Sequence, residues 1–278
     1  MRYSGAMCCF TGTVTQVEKT RIFARRVDER TQSLAYAMNV EASGDLAMVL
    51  PLPTDLAAGD GAVRFVDLSQ EPHLFATLDA LFPVLEMEGS LTFDVEASRQ
   101  AKPQTLAVHT VGDYEASFVP TASDFERLDA RFRLSPAIIE SLCARERFGF
   151  AVFQLRGFGA ASTPPRPWWK RVFGADEAPA GATTRKTFHP MGLTFQSREP
   201  GMLFLPTVHV HDGTLSATAR FDHVLYAQGA AEPSWETSES APHPHTVARA
   251  GGILAEGALV RRLAVVGELP NRDVLVPA

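Results

Sequence analysis

One pattern recurs in this chain and limits what it can fold into: a short apolar run, a Met-bearing apolar run, a turn, and a second Met leading to Pro-Thr. The first copy reads SLAYAMNVEASGDLAMVLPLPT, with Met38, a turn at Ser43, Gly44 and Asp45, and then Met48 before Pro51, Pro53 and Thr54. The second reads TFHPMGLTFQSREPGMLFLPT, with Met191, a turn from Ser197 to Gly201, and then Met202 before Pro206 and Thr207. TRIFARRV and GFAVFQLR precede the two copies, and AVRFVDL and ATARFDHVLY follow them. Apolar runs of this length bounded by Gly, Pro, Asp and Ser are strand signals, so each unit, residues 20–68 and 148–226, reads as an antiparallel β-meander.

Helical signals lie between and beside these units. Ser123 with Glu126 forms a capping-box pattern before FERLDARF, and Ser135-Pro136 supplies an N-cap and first-turn proline before AIIESLCARERF. A shorter helix is expected after Ser69, through EPHLFATLDALF. The predicted class is therefore α+β, a largely antiparallel sheet of two similar meanders with a few helices packed on it, folded as a single domain over residues 1–278. Two stretches read as exposed: the Gly/Pro-rich insertion 157–187, with Trp168 and Trp169, and the polar loop 229–245. The tail ALVRRLAVVGELPNRDVLVP recovers apolar spacing and should dock back on the domain.

Composition narrows the function classes. With 26 Lys+Arg against 32 Asp+Glu the net charge is -6, so there is no general footprint for a phosphate backbone and nucleic acid is not an expected partner. No run approaches the roughly 18 apolar residues of a membrane span, and the opening residues lack the apolar region of a signal peptide, which points to the cytoplasm. Three cysteines, two of them adjacent, do not make a disulfide framework. The phosphate-loop, dinucleotide, nucleophile-elbow and zincin motifs are missing from the sequence.

The sharpest local chemistry is the His-x-His pair in PTVHVHDG. On a strand, His209 and His211 share one face at a Cα spacing of about 6.5–7 Å, from which both rings can reach one ion at roughly 2.0–2.1 Å. Copper, zinc or iron would suit them, with His223 or His189 as a third ligand; a pair of surface or backbone-bonded histidines is the alternative. Met7-Cys8-Cys9-Phe10 is the second feature. A chain beginning at Cys8 would join a thiol nucleophile to an α-amino base, as in an N-terminal amidohydrolase, and the same thiols could instead ligate the metal. A buried, packed Cys-Cys-Phe is the ordinary alternative. Asp212 and Asp222 adjoin the histidines; Asp212-Gly213 reads as a hairpin turn and Asp222 as an acceptor or base. Cys143 reads as a core residue.

The phrases MCCF, TRIFAR, LAYAMNV, AMVLPLP, RFVDLS, ASFVPTASDFERLDARFRL, FGFAVFQL, HPMGLTF, LPTVHVHDG and FDHVLY together resemble a bacterial family of conserved hypothetical proteins. The resemblance spans nearly the whole length. It implies that residues 1–6 are an upstream extension and that Cys8 is the terminal residue, and it implies no activity. The leading expectation is a cytoplasmic transition-metal protein, an enzyme of redox or hydrolytic type acting on a small-molecule or peptide substrate. His209, His211, Cys8, Cys9 and His223 would form its site. The other two expectations are a cysteine amidohydrolase using Cys8 and a non-catalytic binding or scaffold protein that makes contact through the tryptophan insertion.

Overall fold

The computed structural model describes residues 9–12, 14–83, 108–128, 132–134, 148–158, 184–210, 216–229 and 233–278. In chain order the first strands are β1 (Cys9–Phe10), β2 (Val14–Arg26), β3 (Thr31–Ala42), β4 (Leu46–Leu52) and β5 (Val63–Val66). They are followed by β6 (Val108–Val111), β7 (Tyr114–Val119), β8 (Gly149–Leu155), β9 (Thr184–Thr187) and β10 (Met191–Gln196). The last five are β11 (Met202–Leu205), β12 (Thr218–Gln228), β13 (Glu236–Thr237), β14 (Arg261–Pro270) and β15 (Val274–Pro277). The described α-helices are short, α1 (Leu74–Asp79) and α2 (Pro244–Arg249).

This corrects the expected α+β class, because the fold is mostly strand. Ser123 and Glu126 lie in a 3-10 turn, Ala122–Arg127, which buries only Phe125. The helix expected after Ser135 lies outside the described residues. The stretch after Ser69 does become α1, reduced to six residues.

The strands form a five-stranded sheet, β1-β4-β8-β7-β6, an eight-stranded sheet, β13-β14-β12-β2-β3-β10-β5 with β9 beside β3, and the pair β11-β15. The meander description is also corrected. β2 and β3 form an antiparallel hairpin, but β4 leaves for the other sheet, where it pairs with β8. β3 instead pairs with β10, and β2 with β12 in parallel, so strands of the two sequence units alternate between sheets. Long-range pairing decides this order, and strand periodicity carries no information about it.

Continuous apolar runs explain why β4 and β8 are interior: both are buried at all seven positions. One apolar cluster takes Ile22, Leu34 and Met38 from the larger sheet and Met48, Leu50 and Phe153 from the smaller. Leu203, Leu205 and Val276 of the β11-β15 pair belong to it as well. The tail docks as expected, β14 on β12 and β15 on β11. The two stretches expected to be exposed are mixed where they are described, with Gly157, Arg185, Pro233 and Ser234 exposed. Phe158 is buried and Thr184–Thr187 becomes β9. In the polar loop, Trp235 and Ser238 are buried, and Pro244 opens α2 after a His243 cap.

Amide side chains make several of these joins. Gln32 pairs both ends with Phe204, its Nε2 donating to the Phe204 carbonyl at 2.6 Å and its Oε1 accepting the Phe204 N–H at 3.0 Å. Gln228 does the same for Ala255. A primary amide has the donor and acceptor of a peptide unit, so it can complete a ladder where no strand is available.

Candidate functional site

Residues 207–209 follow β11 and are held by the turn at 271–273, between β14 and β15. Asn271 accepts the His209 N–H at 2.9 Å and donates to its carbonyl at 2.8 Å. Asp273 accepts the N–H groups of Thr207 and Val208, and Thr207 donates its hydroxyl to the Arg272 carbonyl at 2.8 Å. His209 is thereby fixed opposite β12, where alternation turns Phe221, His223 and Leu225 inward and leaves Arg220 and Asp222 exposed.

The two imidazoles meet Nε2 to Nε2 at 2.6 Å, with Phe221 packed against both rings. This contact accommodates one proton: one ring donates and the other accepts. His223 has no exposed surface, and its burial, followed by the charge of His209, lowers its pKa to about 3, so it is neutral near pH 7. Among the described residues its Nδ1 has no hydrogen-bond partner. The tautomer in which His223 Nε2 donates leaves only a lone pair unpartnered and avoids burying an unsatisfied N–H.

The pairing of His209 with His223 matches the sequence expectation that these two could meet, but the metal centre is corrected. Cys9 is buried opposite Val49 in an apolar cluster with Phe150, Val152, Val208 and Val210. Val208 and Val210 flank His209 and share that cluster, while the His209 ring packs toward β12, so Cys9 and the imidazoles occupy different faces. Two imidazoles on one tetrahedral ion at about 2.0–2.1 Å would stand roughly 3.3 Å apart, and the observed 2.6 Å is hydrogen-bond spacing. Among the described residues no group of three or more His, Cys, Asp or Glu is arranged to hold an ion. Cys8, His211, Asp212, Cys143, Trp168 and Trp169 lie outside the described residues.

The other candidates have structural partners. Asp222 accepts the backbone N–H of Lys19 at 2.6 Å. Lys19 has a φ of 55° inside a bulge of β2, so the carboxylate holds a left-handed residue that would otherwise be strained. His189 is saturated: Nδ1 donates to the Pro190 carbonyl, Nε2 accepts the Asp113 N–H, and Tyr114 donates to its carbonyl. A Cβ at Gly112, whose φ is 56°, would stand 2.3 Å from His189 Nε2, so only glycine allows this approach.

The sequence reading missed the other side of the β12-β14 ladder. β14 pairs with β12 along its full length, but its second edge meets β13 only at Arg261 and Arg262. Residues 263–269 have no partner strand on that edge among the described residues. Val266, at 67% exposure, is the most exposed large apolar side chain described. Its signal was in the sequence as LAVVGELP, an apolar run with no lysine, here found at the rim of a sheet.

No family model matches the chain, and no curated protein does. Among solved structures it is similar to baculovirus P35, with a TM-score of 0.47 and 13% identity over 95% of this chain and 97% of that one. A mutated P35 after caspase cleavage gives 0.46 and 12% over 94% and 100%. The caspase-8/P35 complex gives 0.44 and 10% over 94% and 96%. These matches lend no support to the metalloprotein or bacterial expectations, and at such low scores the functional reading rests on the geometry of this chain.

Proposed function

We propose that this chain is a polypeptide-binding β-protein that takes an extended segment of its partner along the open edge of β14. The observation carrying this reading is that edge: residues 263–269 present backbone donors and acceptors beside a 67% exposed Val266. Unpaired strand edges of this kind accept an added strand, in which main-chain hydrogen bonds supply affinity and alternate side chains supply specificity. His189 and the His209–His223 pair make internal contacts that serve the fold, which leaves the edge as the feature turned outward.

Panning a phage-displayed library of seven-residue peptides against the purified chain tests the proposal. Peptides with alternating apolar residues should be retained by the wild type and lost with Val266→Lys, which leaves a charge on the edge. Retention that is indifferent to Val266→Lys, or no retention, would contradict it. Caspase-8, named in the complex with P35, is a suitable folded protein to assay on the same pair of variants.

A further inference from the structure

We infer that the His209–His223 contact is a latch that acid opens: a second proton parts the two rings and turns the His209 side chain out to water, while the turn at 271–273 keeps its backbone seated. The contact joins the two sheets. Val208 and Val210, on either side of His209, pack in the apolar cluster of the smaller sheet, and the His209 ring crosses to β12 of the larger.

At 2.6 Å between the Nε2 atoms the pair holds one proton, and a second would set N–H against N–H. The two rings are not equally placed to receive it. His223 has no exposed surface, and its Nδ1 has no hydrogen-bond partner among the described residues, so a charge there would be both desolvated and unsatisfied. His209 is half-buried, and a side-chain rotation suffices to bring its ring to water. The backbone need not follow, because Asn271 holds the N–H and carbonyl of His209 and Asp273 holds the N–H groups of Thr207 and Val208. The groups around the pair leave this choice standing. Opposite His223 on β14 is Val265, and β2 brings Ile22 to the same face beside Leu225. Asp222 and Arg220 alternate to the other face of β12, with Asp222 on the Lys19 N–H. Among the described residues the charge that acts on His223 is that of His209, which adds to burial in keeping His223 neutral. Water entering the space left by the His209 ring can then partner His223 Nε2.

Diethyl pyrocarbonate acylates neutral imidazoles and spares protonated ones, so labelling at about pH 7.5 and about pH 5, read by peptide mass, tests the latch. The exposed His243 and His245 should label less at the lower pH as they gain charge. His223 should do the reverse, protected at the higher pH and labelled severalfold more at the lower, because it is neutral at both and accessible only when His209 turns out. His189, buried in its own contacts, should stay protected at both and report an intact fold. His209→Gln keeps an amide donor that acid does not charge, so His223 should stay protected throughout. His223 labelling that is absent at both pH values or falls with acid would overturn the inference. So would labelling of His189 together with His223, which is unfolding, or acid labelling of His223 undiminished in His209→Gln. The wild-type comparison decides by itself if that variant does not fold.

Discussion

The two ends of the β12-β14 ladder are built differently. At the Tyr226 end the edge is closed: β13 covers Arg261 and Arg262, and charge holds the corner together. Arg262 donates to Glu236 at 2.6 Å, approaches Asp79 at 3.7 Å and lies over the Phe82 ring at 4.1 Å. Asp79 also takes Arg21 at 3.2 Å and the hydroxyl of Tyr226, whose pKa is pushed up by burial and then by that carboxylate. At the Asp222 end the described residues form no such corner. The His209–His223 contact lies beneath the ladder, with His223 beside Val265, and the edge above it has no partner strand among the described residues. At the Tyr226 end the covering strand is held by anchors that reach past it.

Acid should break the symmetry of the two ends first and most strongly. His223 has a pKa of about 3 when folded and an ordinary value near 6.5 when unfolded, so between those values the unfolded chain holds the extra proton. Stability from the neutral ring is intact above about pH 6.5 and is lost as pH falls toward 3, at up to about 1.4 kcal/mol per pH unit. Denaturant titrations of wild type and His223→Leu should diverge in slope across that window. Parallel slopes would contradict the buried neutral ring. At the closed end, Arg262→Ala should cost about 1 kcal/mol at neutral pH, since it removes the cation from Glu236 and from the Phe82 ring while Asp79 keeps Arg21. Asp222→Ala should cost about 1 kcal/mol through the Lys19 N–H, readable as a shift in the urea midpoint with m unchanged. Val266→Lys should change monomer stability by no more than about 0.5 kcal/mol while reducing peptide retention at the edge, because that side chain is 67% exposed.

Parts of this arrangement were legible in the sequence. ATARFDHVLY was read as a strand, which it is as β12, and His223 on it was named as a residue that could reach the His209 site. The tail was expected to dock, and it does. What failed was the inference from local spacing to partners. FERLDARF has helical spacing, and Phe125, Leu128 and Phe132 all reach one core cluster, but its described start, Ala122–Arg127, settles as a 3-10 turn. Cys9 pairs beside β4 in the smaller sheet while the His209 ring meets β12 of the larger, a sheet assignment that a two-residue motif does not encode. The polar stretch keeps exposed residues such as Pro233 and Ser234, and the burial of Trp235 within it depends on packing against residues far away in sequence. The open edge was invisible for the same reason, since an apolar run reads alike at the centre and rim of a sheet.

Backbone amide exchange along β14 in the wild-type chain tests the open edge most directly. The outward-facing N–H groups of residues 263–269 should exchange freely while the inward ones, bonded to β12, stay protected, and a retained edge-binding peptide should slow the outward set. Outward amides already protected without peptide would show the edge to be closed within the chain and would contradict the account.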